Sequence, residues 1–345
     1  MKALLLSKYS QLELTDVPVP EAGPGELLVR VAACGICGSD VHGYDGSSGR
    51  RIPPIIMGHE AAGVVEGVGD GVEGFEAGDR VTFDSTIYCG ECAHCRRGDV
   101  NLCDRRQVLG VSCGEYRRAG AFAEFVTVPA RISYHLPDNF AFEEAALLEA
   151  VAVAIHAVSL VPLRLGGSAL VIGAGTIGLL VQQALRAAGC DRVFVTDVDA
   201  TRLGLSERLG ATTTLLSGPD LSKRVGDLTA GIGVDVVVEA VGATQTIALA
   251  IDSVKKGGSV VLVGNITPEV SIHLQKVVSR QIRLQGSCAS AGEYPRAIEL
   301  VSRGEIQVKP LISAVAPLVE GPTWFDRLHA REPNLMKVVL TPGQV

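Results

Sequence analysis

The sequence predicts an α/β protein in two parts: a β-rich, partly closed antiparallel first part, and a doubly wound parallel sheet with helices on both faces. Three observations carry this. At 345 residues the chain is about twice the usual ~100–200 residues of one domain. Short β-like segments separated by Gly and Pro fill roughly the first 155 residues. After residue 166, apolar runs of four to six residues alternate with stretches of helical length, the pattern of a parallel sheet buried on both sides.

The amino terminus, MKALLLSKYSQLELTD, has four consecutive apolar residues after Lys2 and no small-residue cleavage site, so it reads as a first strand and not as a secretory leader. The strands that follow are LLVRVAA (27–33), AAGVVEGV (61–68), DRVTF (79–83) and FAEFVTV (122–128). The second part is carried by ALVIG, RVFVTD, VDVVVEAVG, GSVVLVG and IRLQG. From about Ser287 a helix is expected at Glu293 to Arg303, and the strand-like MKVVLTP should return to the first part. The expected boundaries are therefore 1–155, 156–286 and 287–345, with a lobe at 88–104.

A net charge of -7, with no Lys/Arg stripe beyond short groups such as Arg96-Arg97 and Arg105-Arg106, argues against a nucleic-acid partner. No run approaches the ~18–20 apolar residues of a membrane span, so a soluble, cytoplasmic protein with no membrane partner is expected. Nine cysteines cannot all pair, and disulfides are uncommon in a reducing compartment.

Metal binding is thus the leading reading of YCGECAHCRRGDVNLC, where Cys89, Cys92, Cys95 and Cys103 follow a C-x2-C-x2-C-x7-C spacing. Four thiolates converging tetrahedrally leave no position open for water or substrate, so such a site is structural. Soft sulfur ligands favour zinc, with iron as the alternative. Cys34, Cys113, Cys190 and Cys288 read as reduced and structural.

The segment ALVIGAGTIGLLVQQALRAAG holds Gly173, Gly175 and Gly178 in a GxGxxG pattern between an apolar strand and an amphipathic helix. Asp197 ends the next strand, nineteen residues after Gly178, where a carboxylate would accept both ribose hydroxyls of NAD and repel a 2′-phosphate. Gly173, Gly175, Thr176, Ile177, Gly178, Asp197 and Arg202, the first basic residue after that acid, are the candidate cofactor-binding residues. NAD is preferred over NADP.

A second constellation, GICGSDVHGYDGSSGRRIPPIIMGHE (35–60), offers Cys37, His59 and Glu60 as ligands from two loops. GICGSDVH, GHEAAGVVEGVG and GDRV, followed by the four-cysteine lobe and GAGTIG, resemble the zinc-dependent medium-chain dehydrogenases over essentially the whole chain. With LLEAVAVAIHA, the chain is most similar to their polyol branch, the sorbitol-type and galactitol-phosphate-type enzymes.

The resemblance implies a GroES-like, partly closed β-barrel catalytic domain joined to a Rossmann domain. It implies two zinc ions per subunit, one structural and one catalytic, and assembly as a homodimer or homotetramer, with GSVVLVG late in the cofactor domain where the family pairs subunits edge to edge. Cys37 and His59 would hold the catalytic zinc, with Glu60 and Glu149 binding directly, through water or in exchange. Ser39 would receive the substrate proton, His42 would pass it to solvent, Glu60 would serve the catalysis as well as the metal, and Asp40 would orient the histidine ligand. Ser39 and Asp40 also read as a helix cap, and His42 as an exposed histidine.

Ala289 and Ser290 stand where sorbitol-type enzymes carry an Arg-Tyr pair, and Gly43 lacks an aromatic side chain common there. The tail EGPTWFDRLHAREPNLMKVVL is closer to the galactitol-phosphate type. Arg50 and Arg51 read as a solvated turn, with phosphate contact as the alternative. The expected activity is reversible oxidation of a secondary hydroxyl of a polyol or sugar alcohol, free or phosphorylated, to a ketone. L-threonine, a vicinal diol or another secondary alcohol is the alternative substrate. An NAD-binding sensor or scaffold is the non-enzyme alternative.

Overall fold

The computed structural model describes residues 1–343. They form two compact units: Met1–Glu149 with Ser290–Ser302 and the chain from Val308 onward, and Ala150–Ala289 with Arg303–Gln307. The first boundary falls after Glu149, not 155, because helix Leu148–Ser159 runs continuously through it and an apolar helix pattern carries no mark of a division. Arg303–Gln307 joins the second unit through Gln307, whose N–H donates to Gln183 Oε1 at 2.8 Å.

In the first unit a seven-stranded sheet runs in the order Ser133–His135, Arg80–Phe83, Glu60–Val68, Glu26–Gly35, Lys337–Thr341, Ile312–Pro317, with Phe125–Pro129 also paired to Glu26–Gly35. Strand Glu26–Gly35 shows why it pairs there. Leu27, Val29, Val31 and Ala33 are buried while Arg30 is exposed, the period-2 pattern of a strand with one face on a core. Leu6, Phe83, Phe122, Phe325 and Leu340 fill that core. The carboxy-terminal strand closes back antiparallel, with Val339 opposite Gly35 and Leu340 opposite Cys34.

The second unit has six parallel strands in the order Thr213–Leu216, Arg192–Asp197, Ser168–Ile172, Val234–Glu239, Val254–Leu262, Arg283–Gly286. All five residues of Ser168–Ile172 are buried, as a central parallel strand requires. Thr213–Leu216 escapes a pattern search because it is a four-residue edge strand opening on two threonines. GSVVLVG is not at an edge: its strand lies between Val234–Glu239 and Arg283–Gly286, and its apolar character reflects that internal position. The free edges are Thr213–Leu216 and Arg283–Gly286. Among the described residues no helix is long and apolar enough to cross a membrane.

Candidate active site

Strand pairing assembles the first site. Gly35 stands opposite Glu60 in the register of Glu26–Gly35 with Glu60–Val68, which brings the segment just after one strand against the start of the other. The ligand atoms of Cys37, His59 and Glu60 consequently lie within 4.8 Å of one another. Gly35 leaves the Glu60 carboxylate its place, since a Cβ there would come within 2.6 Å of Glu60 Oε2 and shift it. Sulfur, imidazole and carboxylate donors in one place suit zinc.

Cys37 caps helix Gly38–Tyr44, and its N–H donates to Asp40 Oδ2 at 3.1 Å. The capping and site readings of Asp40 therefore coexist. Asp40 is fully buried, and its Oδ1 lies 3.2 Å from His59 Nδ1. Burial alone would raise the Asp40 pKa, but the charge of His59, the contact with it and the Arg51 guanidinium hold it down at about 2. His59 answers in kind. Burial opposes its protonation, yet Asp40 and Cys37 offset that and hold the imidazole well above its ordinary value.

Ser39 is exposed, with Oγ 3.4 Å from His59 Nε2. His42 is exposed on the same helix, its Nδ1 facing Ser47 Oγ at 3.3 Å, and no hydrogen bond joins it to Ser39. Glu149 lies outside the three-ligand cluster, and its Oε1 accepts from Ser85 Oγ at 3.1 Å. Burial pushes the Glu149 carboxyl up to about 7, with His59 pulling it down and Glu60 pushing it further up.

Three residues of this site lay beyond the sequence patterns or were misread in them. Lys337 is buried, and its Nζ donates to Glu60 Oε1 at 2.9 Å, to Glu60 Oε2 at 2.6 Å and to the Ile36 carbonyl at 3.2 Å. A lone lysine inside the apolar MKVVLTP was the available signal. Removing one partner of a buried pair costs about 3–5 kcal/mol, so Lys337→Met should destabilise the protein by that order in denaturant unfolding. Lys337→Arg should recover part of it.

Asp84 is the second. It accepts from the Thr86 N–H at 2.8 Å and from Ser290 Oγ at 3.1 Å. Ser290, at the position compared with the Arg-Tyr pair, is thereby committed to a buried hydrogen bond. Burial pushes Asp84 up to about 6, only partly opposed by those two bonds. A carboxyl raised on folding stabilises the protein fully below its unfolded pKa, and that contribution fades as pH rises from about 4 to about 6. At neutral pH the ionised group therefore costs on the order of 3 kcal/mol. Asp84→Asn should raise stability at pH 7 and flatten its pH dependence across that window, as read by urea midpoints.

Arg51 is the third. It is buried, not solvated: its Nη2 donates to Asp40 Oδ1 and to Ser39 Oγ, each at 3.2 Å.

A second cluster lies on the loop 88–104, where the sulfurs of Cys89, Cys92, Cys95 and Cys103 are all within 4.8 Å of one another. All four are free thiols. Backbone N–H groups of Cys89 and Arg105 point at Cys103 Sγ, that of Cys92 at Cys89 Sγ and that of Cys95 at Cys92 Sγ, at 3.3–3.5 Å. Such donors stabilise thiolates and orient metal ligands. The N–H groups of Glu91 and Cys92 help lower the Cys89 thiol to about 6, whereas burial and the neighbouring sulfurs push Cys95 up to about 12. Four such sulfurs fit a structural zinc.

In the second unit, Gly173 adopts φ +99 at the end of strand Ser168–Ile172, and Gly175 caps helix Thr176–Ala187, which Thr176 and Ile177 open. A Cβ on Gly178 would stand 1.7 Å from the Gly173 carbonyl oxygen, so the helix seats directly on the turn. Asp197 Oδ2 accepts from the Ala174 N–H at 2.6 Å and Oδ1 from the Asp199 N–H at 2.9 Å. Arg202 lies 4.0 Å from Asp197 and 3.7 Å from Asp199. A glycine cradle with an acid at the next strand end fits a dinucleotide.

Comparison with known proteins identifies both folded parts of the chain. Residues 23–138 match the alcohol dehydrogenase GroES-like domain family, and residues 176–303 match the zinc-binding dehydrogenase family. The chain is 31% identical to the sorbitol dehydrogenase of Bacillus subtilis (strain 168), over 100% of this chain and 98% of that protein. It is 34% identical to the D-arabitol-phosphate dehydrogenase of Enterococcus avium, over 96% and 94% respectively. A zinc-binding dehydrogenase from Sinorhizobium meliloti 1021, solved bound to NADP, is 33% identical and superposes with a TM-score of 0.89 over 99% of each chain.

Proposed function

Because the chain belongs to the zinc-type medium-chain alcohol dehydrogenase family, we propose that it oxidises a secondary hydroxyl of a polyol or sugar alcohol to a ketone, reversibly, with NAD as the hydride acceptor. The observation that carries this is the convergence of Cys37, His59 and Glu60 beside an exposed Ser39 hydroxyl. On this reading the first unit, Met1–Glu149 with the carboxy-terminal return, is catalytic, and the second binds the dinucleotide.

Zinc held by Cys37 and His59 supplies a Lewis acid that eases deprotonation of a substrate hydroxyl. Glu60 and Glu149 are the acids that complete or exchange in that site, and Lys337 balances the charge of Glu60. Asp40 orients His59 from behind, fixing the ring for its role as ligand. Ser39 Oγ accepts the substrate proton as it releases its own, and His42, exposed on the same helix, is the group that returns a proton to solvent. Cys89, Cys92, Cys95 and Cys103 hold a second, structural zinc.

For the cofactor, the glycine turn receives the pyrophosphate and Asp197 the ribose hydroxyls. Asp197 favours NAD: a 2′-phosphate would meet its charge, and Arg202 already lies close to Asp197 and Asp199. The burial of Arg51 removes one phosphate anchor that the sequence offered, which favours an unphosphorylated polyol. A cytoplasmic location and a homodimer or homotetramer complete the reading, the latter by family analogy.

The test is zinc-replete protein incubated with NAD or NADP and a panel of free and phosphorylated polyols, diols and L-threonine, following reduced nicotinamide. Turnover with a polyol and NAD is expected. Silence across the panel, with both zinc ions and NAD retained, would shift the assignment to an NAD-binding sensor.

A further inference from the structure

Arg51 is an expensive residue to place where it is. Its guanidinium is buried, and its Nε has no hydrogen-bond partner. Taking a guanidinium out of water is costly, and its pairing with Asp40 offsets that cost only in part, so filling space does not account for an arginine here. The fold nonetheless makes room for it. A Cβ on Gly43 would come within 2.6 Å of Arg51 Cγ and 2.7 Å of Cδ, so only glycine at 43 lets the arginine stem lie across helix Gly38–Tyr44. The backbone on either side is pinned to Ser112, whose N–H donates to the Arg50 carbonyl and whose Oγ donates to the Ile52 carbonyl.

One nitrogen of this cation meets two groups of the candidate site. Arg51 Nη2 lies 3.2 Å from Ser39 Oγ and 3.2 Å from Asp40 Oδ1, while the same Asp40 oxygen lies 3.2 Å from His59 Nδ1. A serine hydroxyl has one proton and two lone pairs. Arginine carries only donors, so it occupies one lone pair, and Ser39 keeps the other lone pair and its own proton for its remaining neighbours. On the Asp40 side, the guanidinium holds Oδ1 while the Cys37 N–H of the helix cap holds Oδ2.

We infer that Arg51 is the positioning residue of this site, setting the direction of the Ser39 hydroxyl and the seat of the Asp40 carboxylate behind His59 at the same time. The inference rests on the dehydrogenase reading for the role of Ser39, and on geometry alone for Asp40. Gly43 and Ser112 are the structural conditions for it.

The test uses the zinc-loaded full chain as Arg51→Met, Arg51→Lys and Gly43→Ala beside the wild type. Loss of an outer contact of this kind changes activity or metal affinity by roughly 10–100-fold. Arg51→Met is expected to lower kcat in that range with the KM for the cofactor within about twofold, and to release the zinc of the Cys37 site to a chelator faster. Arg51→Lys should recover part of both effects. Gly43→Ala, which leaves the guanidinium intact but displaces it, should reproduce them. If Arg51→Met matches the wild type within about twofold in kcat and in zinc release, the assignment is overturned. A lower Tm with neither change overturns it too, since it marks Arg51 as a packing residue. If the wild type itself oxidises no alcohol, the proposed function fails, and the zinc-release comparison still decides the role of Arg51 at Asp40.

Discussion

Cys37→Ala and His59→Ala are expected to lower turnover by roughly 10³-fold or more while leaving NAD binding in place. Lewis-acid assistance is worth several kcal/mol, and each 1.36 kcal/mol is a factor of ten in rate. Either substitution removes one of the three donors gathered within 4.8 Å, and His59→Ala also strips Asp40 of a neighbour 3.2 Å away. Cofactor affinity should persist because Gly173, Gly178 and Asp197 are organised by hydrogen bonds and contacts wholly within the second unit. Steady-state rates, zinc content and calorimetric NAD titration on the same preparations check it. Near-wild-type rates in either variant would remove Cys37 and His59 from the proposed chemistry.

The largest effect on stability is expected at the other cluster. Cys95→Ser should cost one zinc per chain and unfold the loop 88–104, because thiolate coordination of structural zinc contributes on the order of 10 kcal/mol to folding. The loop has little else to hold it. Its one α-helix, Ala93–Arg96, spans four residues and has no buried member. Among the four cysteines only Cys103 is buried. Limited proteolysis within the loop, together with metal analysis and thermal unfolding, reads the outcome. A variant that keeps two zinc ions and resists the protease as the wild type does would show that the four sulfurs do not form a zinc clamp.

Legibility followed local chemistry. The four-cysteine spacing, the GAGTIG turn and the acid at the end of RVFVTD are short-range signals, and the structure brings each set together. Lys337 and Asp84 gave at most a weak signal, since a single charged residue in an apolar strand or turn has no period and no motif. Each acquires meaning only from a partner far along the chain: Glu60 for Lys337 and Ser290 for Asp84. Arg51 was misread for the same reason. An Arg-Arg pair among Gly, Ser and Pro looks solvated, and only the missing Cβ of Gly43 and the anchor at Ser112 show where its side chain goes.

The sequence by itself determined the two-part α/β architecture, the glycine turn, the clustering of four cysteines and the candidate ligands Cys37, His59 and Glu60, while Glu149 came from the family resemblance. Hydrophobic period, glycine placement and ligand spacing are properties of neighbouring residues, and they survive without coordinates. Tertiary structure decided which strand is internal, that Glu60 is paired to Lys337, that Glu149 rests on Ser85 outside the three-ligand cluster, and that Arg51 is buried against Ser39 and Asp40. These are matters of burial and charge pairing between distant segments. A charge that is unremarkable in water must find a partner once the fold excludes solvent, and which partner it finds depends on the register of strands that the local sequence does not encode.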